Sequence, residues 1–355
     1  MIITAAEIKE LAKACGFQLA GITSALPSGD FERFDRWRAT GMAGEMSYLT
    51  DQRGDLREDP RNLLPEARSI LCVGKLYNSD YPYSTECGDS STGWISRYAW
   101  GTDYHVSMRN QLEELVQRVR EYHPEPFHYR ICVDTAPLLE RSYARAAGLG
   151  WIGRNTCLIN QQQGSWFFLA ELLLSIPLVV DQPAPFRCGS CTRCIEACPT
   201  QAIVPDDSDG WTLDARMCIS YLTIEKRGEI PADLAVQIEN HLFGCDICQD
   251  VCPWNRRAPI ADDLISGPFD FTPDLKNLAE LDEETFRTLF RRSPVWRAKY
   301  QGFLRNVAIA MGNSRNQKML RPLEKLSVHP DPVVARAASN ALLHLVTVVG
   351  LQASH

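Results

Sequence analysis

Cys188-Gly-Ser-Cys191-Thr-Arg-Cys194-Ile-Glu-Ala-Cys198-Pro199 is the stretch on which the fold of this chain turns. Three thiolates spaced by two residues can grip one iron-sulfur cubane, while a fourth, three residues on and followed by proline, reaches a neighbouring cluster. A second set repeats the ending at Cys245-Asp-Ile-Cys248-Gln-Asp-Val-Cys252-Pro253, with its first member, Cys218, displaced by 27 positions. If the fourth ligands are exchanged, Cys188, Cys191, Cys194 and Cys252 hold one 4Fe-4S cluster, and Cys198, Cys218, Cys245 and Cys248 hold the other. Eight thiolates then serve two cubanes with none left over. A pair of structural zinc sites is the competing reading, but zinc seldom takes three thiolates spaced by two with a Cys-Pro ending.

Exchanged ligands fix two clusters close together, as electron relay requires, and a relay needs a destination. A two-cluster ferredoxin uses a small fraction of 355 residues, so the long N-terminal part is expected to hold the acceptor site. The other five cysteines, Cys15, Cys72, Cys87, Cys132 and Cys157, stand in apolar segments and read as buried free thiols. Hydrophobic content of 45% and charged content of 23% are ordinary for a globular protein. Met1-Ile2-Ile3-Thr4 lacks a basic and then apolar leader, and no uninterrupted apolar run approaches the roughly 18 residues of a bilayer span, so a cytoplasmic protein without membrane contact is expected. The net charge of -7 argues against broad nucleic-acid binding, yet Phe286 to Lys325 carries +9 and the remainder -16, which allows a local basic surface.

Outward from the cysteines, Asp181-Gln-Pro-Ala-Pro185 reads as a linker. Before it, Thr4 and Glu7 form a capping box ahead of Ile8, Leu11, Ala12 and Cys15, with Gly16 as stop. Ser69 to Gly74 and His128 to Asp134 read as strands, with a helix marked by Leu112, Leu115, Val116 and Val119 between them. Pro137 to Ala147 reads as a helix ended by Gly148, and Thr156 to Asn160 with Ser165 to Leu174 as paired strands. The expected fold is an α/β or α+β catalytic domain over 1–180, a ferredoxin-like double 4Fe-4S module over 181–260, and an α-helical region over 270–355. In that last region Gly302 to Met311 and Asp331 to Leu345 share a pattern offset by 31 residues, as stacked HEAT-like helix pairs would.

Two motifs fail on context. Gly148-x-Gly150-x2-Gly153, with Glu171 18 residues on, matches a dinucleotide fingerprint but follows a helix and leads into a strand, the reverse of what that fold needs. Asp103-x-His105-x2-Met108 is similar to the signature of cobalt-ligating corrinoid domains but ends in the wrong residue, so His105 reads as a hydrogen-bonded histidine at a helix start. Asp134 closes a strand and is either an N-cap or a proton donor at a crevice. Arg57 reads as a solvated loop arginine, with anion binding the second possibility.

Ser96-Arg-Tyr-Ala-Trp-Gly-Thr-Asp103-Tyr-His105, Cys132-Val-Asp134-Thr-Ala-Pro137, Gly150-Trp-Ile-Gly153-Arg154-Asn155-Thr156 and Ile219-Ser220-Tyr-Leu-Thr-Ile-Glu225, together with both cysteine sets, resemble the epoxyqueuosine reductase family. The resemblance runs from about Arg57 to the helical C-terminus. It implies an oxidoreductase that reduces the epoxide of epoxyqueuosine, at the wobble position of transfer RNA with a GUN anticodon, to queuosine, the last step of that modification. It implies a base-off cobalamin with no protein histidine on cobalt, fed by two 4Fe-4S clusters, a monomer, and a low-potential donor such as flavodoxin or ferredoxin. It makes Asp134 the proton donor. It gives corrinoid contacts to Arg57, Asp134, Gly153, Arg154 and Asn155, and less directly to Ser96, Ala170, Glu171 and Ser220. Arg154 stands where the family often has lysine, a stiffer fork in place of a point charge.

On this reading burial beside an apolar corrinoid keeps Asp134 a neutral acid. Arg291, Arg292, Arg297, Lys299 and Arg305 are expected to hold phosphates of the anticodon stem-loop. The rival is a corrinoid reductive dehalogenase of a small organohalide, a class that is typically exported and needs no basic helical region. A non-enzymatic electron carrier is a second rival, opposed by the chain's size.

Overall fold

The computed structural model describes residues 3–206, 210–261 and 270–352. Its N-terminal part is built on strands β1 (Leu19–Ser24), β2 (Ser69–Leu76), β3 (Tyr129–Cys132) and β4 (Phe167–Leu174), in the order β1-β2-β4-β3. All three pairings are antiparallel. The fold is thus mixed α/β, with helices laid on an antiparallel sheet. Crevices at the carboxyl ends of parallel strands do not occur in such a sheet, so that argument for Asp134 falls away.

Side chains on successive strand residues point to opposite faces, and both faces here are covered. Leu71, Val73, Leu172 and Leu174 pack on helices α1 (Ala5–Ala14) and α2 (Tyr104–Tyr122) through Ile8, Ala12, Leu112, Leu115 and Val116. Ile70, Cys72 and Leu173 pack on the opposite side against Tyr143 and Ala144 of helix α3 (Glu140–Ala146). That double covering is why Ser69 to Gly74 reads as a continuous apolar run.

The capping box forms as expected: Thr4 Oγ1 accepts from Glu7 N–H and the Glu7 carboxylate accepts from Thr4 N–H. Helix α3 starts three residues later than the sequence suggested, at Glu140. The expected hairpin of Thr156–Asn160 with Ser165–Leu174 is reduced to a single bridge, Asn160 with Gly164. Leu158–Ile159 pairs instead with Trp151–Ile152, and β4 turns away between β2 and β3. Asp181–Pro185 is no free linker at its start, since Asp181 Oδ2 accepts from Ile22 N–H at 2.8 Å and Oδ1 meets Lys9 Nζ at 2.7 Å.

Trp94–Ile95, far back in the N-terminal part, pairs in parallel with His241–Phe243 beside the second cysteine set. The two segments open the largest core, in which Trp94, Trp100, Leu242 and Phe243 meet Phe286, Phe290, Phe303 and Val307. Helix α4 (Ile219–Ile224) follows Cys218, and α5 (Lys299–Asn313), α6 (Leu320–Leu326) and α7 (Pro332–Gln352) complete the C-terminal helices. Among the described residues, only Pro332–Val349 is long and apolar enough to cross a membrane, with mean hydropathy 1.4. In this fold Val334, Ala338, Ala341 and Leu345, spaced as one helical face, are buried in the core that α5 and α6 share.

Candidate functional site

Just beyond β3 the chain turns at Asp134 with φ +49°, left-handed backbone that aspartate visits more readily than most side chains. The turn is held from several sides. Asp134 N–H donates to Glu140 Oε1 at 2.7 Å. Asp134 Oδ2 lies 3.1 Å from His105 Nε2 and 3.7 Å from Arg297 Nη1. His105 Nδ1 in turn lies 2.5 Å from Asp103 Oδ1, the carboxylate that caps α2, and Arg297 Nε pairs with Glu225 Oε1 at 2.6 Å. Five residues distant in sequence therefore form one chain of alternating charge, Asp103, His105, Asp134, Arg297 and Glu225. About 39% of the Asp134 side chain remains exposed.

This chain decides where protons sit. Burial disfavours the His105 cation, but hydrogen bonds and attraction from Asp103 and Asp134 outweigh it and lift the imidazole to about 9. Burial favours neutral Asp134, yet the hydrogen bond and charge of His105 and the charge of Arg297 hold its carboxyl below the usual value. The expected neutral Asp134 is corrected accordingly: two flanking cations defeat desolvation. Asp134 is not an N-cap either, since Leu139 precedes α3. The neutral acids lie behind it. Burial and then the Asp134 charge push Glu140 up to about 8. Glu171 on β4 is fully buried, neither oxygen has a hydrogen-bond partner, and burial followed by Glu140 and Asp134 raises it well above its ordinary value.

The eight cysteines fall into two neighbourhoods. Burial raises Cys194 to about 12 with help from Cys252, Cys188 and Cys191, and Cys252 to about 11 with help from Cys188 and Cys191. Burial raises Cys245 with help from Cys218 and Cys198, while Cys248 is raised first by Cys157 and burial and then by Cys245 and Cys218. Cys194 and Cys252 thus neighbour Cys188 and Cys191, and Cys245 neighbours Cys218 and Cys198. Sulfurs so crowded ionise together only around a cationic centre. Cys188 accepts from Trp151 Nε1–H at 3.4 Å and Cys198 from Ala202 N–H at 3.3 Å, contacts of the kind that tune cluster potentials. Among the described residues no three His, Cys, Asp or Glu side chains converge tightly enough for a single ion. A four-iron cubane spreads its ligands wider, and the donor set fits it.

The other singled-out residues fare differently. Arg57 is buried, only 7% exposed, and donates from Nη1 to the carbonyls of Tyr48 and Arg53, so it is not a solvated loop arginine. Ser96 Oγ donates to Asp246 Oδ1 at 2.5 Å, and Asp246 also gathers Trp94 Nε1–H and Arg97 N–H. Gly244, at φ +72°, has no room for a Cβ against Ser96, which is how Phe243-Gly244-Cys245 comes so near. Ala170 is packed in the sheet core. Asn155 donates from Nδ2 to Cys248 O at 3.2 Å and Arg154 from Nη2 to Gly189 O at 2.7 Å, so the Gly153–Asn155 turn bridges to both cysteine sets. Ser220 lies in the first turn of α4, two residues after Cys218. Cys157 is a free thiol as expected but only half-buried, and its N–H donates to Asn155 Oδ1 at 3.2 Å.

Sequence reading assigned Arg297 and Arg305 to phosphates, and the structure uses both internally. Arg305 is 1% exposed and donates to the carbonyls of Lys226, Gly228 and Leu222. Its position in the apolar pattern of α5 could have signalled this; nothing local could have signalled the reach of Arg297 to Asp134. The Asp103–His105 pair is visible in the sequence as a cobalt-like motif with the wrong ending, whereas no local signal marks Glu225 as a partner of Arg297 or Asp246 as a partner of Ser96.

Paired cysteine quartets and a half-buried acid–imidazole site, on helices and antiparallel strands, define an iron-sulfur oxidoreductase of the double-cluster class. Residues 187–255 match the family model described as a 4Fe-4S double cluster binding domain, and 57–135 match Epoxyqueuosine reductase QueG. The epoxyqueuosine reductase of Xanthomonas campestris pv. campestris is 42% identical over 346 residues, 94% of this chain and 93% of that protein, and the one from Escherichia coli K12 is 38% identical over 92% and 86%. A crystal structure of epoxyqueuosine reductase with an epoxyqueuosine-modified tRNA-Tyr stem loop superposes with TM-score 0.84 at 30% identity, covering 96% of this chain and 89% of that one. The chain belongs to the epoxyqueuosine reductase family.

Proposed function

We propose that this chain reduces the epoxide of epoxyqueuosine at the tRNA wobble position to the alkene of queuosine, with Asp134 protonating the departing oxygen. The observation that carries this is the Asp134 turn, clasped by His105 and Arg297 and facing outward within a chain similar along its length to a reductase solved on an epoxyqueuosine-bearing stem loop. When bound, two 4Fe-4S clusters on the eight cysteines and a base-off cobalamin would supply the low-potential electrons. Glu171 supports the corrinoid, because a buried carboxyl with both oxygens unpartnered marks a polar partner yet to arrive. Arg57, Asp134, Gly153, Arg154, Asn155, Glu171 and Ser220 would hold it, with Ser96 and Ala170 contributing backbone only, since their side chains are committed.

Division of labour follows the ranges 1–180 for the corrinoid and catalysis, 181–260 for the clusters, and 270–355, a HEAT-like stack of helix pairs, for RNA; residues 1–2, 207–209 and 353–355 lie outside those described. Exposed Arg291, Arg292 and Lys299 would meet phosphates, and the Arg292 carbonyl accepts from Asp103 N–H at 2.8 Å, which sets that surface beside the site. The protein would work as a cytoplasmic monomer fed by a low-potential one-electron carrier of the flavodoxin or ferredoxin kind.

The test is anaerobic reconstitution with clusters and cobalamin, a low-potential reductant and epoxyqueuosine-bearing tRNA, read by mass spectrometry of the nucleosides. Wild type should form queuosine, and Asp134→Asn should lose about 100-fold or more of the rate, as removal of a general acid does. No product from wild type rejects the assignment; full activity in Asp134→Asn rejects the role of Asp134.

A further inference from the structure

Converting an epoxide to an alkene consumes two electrons and two protons and releases the oxygen as water. Asp134 is held as a carboxylate between two cations and so has no proton of its own to give. Arg297, at 3.7 Å, does not deprotonate in proteins. Glu140 carries a proton but meets the backbone N–H of Asp134, not its carboxylate. Tyr98 and Tyr104 are made still weaker acids by burial and by the Asp134 charge.

That leaves His105, the one imidazole on the Asp134 carboxylate among the described residues. Its Nε2 faces Asp134 Oδ2 at 3.1 Å while Nδ1 is fixed by Asp103 at 2.5 Å. Tyr104 stacks on the ring, with centroids 4.3 Å apart and planes 24° from parallel, so the imidazole cannot turn away. About 28% of its side chain is exposed, which gives solvent a way to refill it.

Resting on the epoxide reduction proposed above, we infer that His105, oriented by Asp103, is the proton store of the reaction: its Nε2 proton passes to Asp134 Oδ2, and Asp134 hands that proton on to the departing oxygen and returns to the carboxylate. The C–O bond breaks, the two electrons arrive from the low-potential carrier by way of the protein's redox groups, the first proton comes through His105, and the second, which completes water, comes from solvent. Arg297 serves the same end from the other side, since a cation beside Asp134 makes its acid form a ready donor to an alkoxide. Asp103 touches only the imidazole and is a positioning residue.

Two measurements on the cofactor-loaded protein test this. In single-turnover assays from pH 6 to 10, the wild-type rate should fall about tenfold per pH unit once the imidazole loses its proton. His105→Gln should lower the plateau at least tenfold and abolish that limb, and Asp103→Asn, which keeps the imidazole but removes one of its carboxylates, should move the limb to lower pH by about one unit. Without substrate, carbethoxylation of His105 by diethyl pyrocarbonate, which attacks only the neutral ring, should be slow at pH 7 and accelerate in Asp103→Asn and Asp134→Asn. An active wild type whose rate and limb survive in His105→Gln, a limb unmoved in Asp103→Asn, or rapid wild-type carbethoxylation at pH 7 would overturn the inference. A wild type that makes no queuosine overturns the epoxide reading itself.

Discussion

At the scale of single residues, the acids behind Asp134 carry a pH signature. Glu140 has a folded pKa near 8, raised first by burial and then by Asp134, against an ordinary value of 4.5. Between those values the unfolded chain has lost this proton while the folded chain keeps it, so stability falls as pH rises from about 4.5 to 8. Glu140→Gln keeps an oxygen to accept from Asp134 N–H and has no proton to lose. Its urea midpoint should match wild type near pH 4.5 and exceed it at pH 8; a constant offset at both pH values would show that Glu140 does not titrate this way. His105 runs in the same direction over a higher window. Its raised folded pKa makes its pairing with Asp103 and Asp134 fully stabilising below about 6.5, a contribution lost as pH climbs through about 9. None of this was legible in the chain, because a titration depends on groups up to 163 positions apart, as Asp134 and Arg297 are, and the sequence offered Asp134 only the desolvation half of its environment. Cysteine spacing was legible because each cluster dictates its own local geometry.

At the scale of elements, what could be read was what is periodic. The capping box of α1, the apolar stripe of α2 and the doubly covered β2 each declare themselves within a few residues. Strand pairing does not, and so β4 inserts between β2 and β3 where the sequence suggested a hairpin. Helix α5 illustrates the limit of reading charge as surface. Arg305 is buried in it, its guanidinium spent on three backbone carbonyls around the loop after α4, and Asn306 beside it donates to the carbonyls of Thr223 and Leu242. Burial lowers this arginine to about 10 without threatening its charge at neutral pH. Arg305→Met would leave those carbonyls unpaired in the core and should cost about 3 kcal/mol or more in urea unfolding. At temperatures where both proteins are folded, RNA affinity should not change; weakened binding there would return Arg305 to the phosphate surface.

Over the whole molecule, the puzzle is how a chain of net charge -7 would hold a polyanion. Concentration of charge answers it: the basic C-terminal stretch keeps Arg291, Arg292, Lys299, Arg315, Lys318 and Arg321 exposed, while Arg297 and Arg305 are withdrawn into the fold. Distance weakens repulsion from the acidic remainder, because screening at physiological salt acts within about 8 Å. Arg291 and Arg292 stand beside the candidate site, since the Arg292 carbonyl accepts from the N–H of Asp103, whose carboxylate meets His105 Nδ1. A phosphate held there would be grasped within a few residues of the reacting carboxylate. Contacts of this kind release counterions, so log K falls with log salt by about 0.7 per phosphate neutralised on single-stranded RNA. Arg291→Gln with Arg292→Gln should therefore flatten that slope by about 1.4 for a tRNA anticodon stem-loop, with or without the epoxide, and leave single-turnover reduction at saturating RNA close to wild type. An unchanged slope would place the RNA elsewhere on the molecule, whereas a lost turnover with an intact slope would tie the pair to Asp103 and not to phosphate.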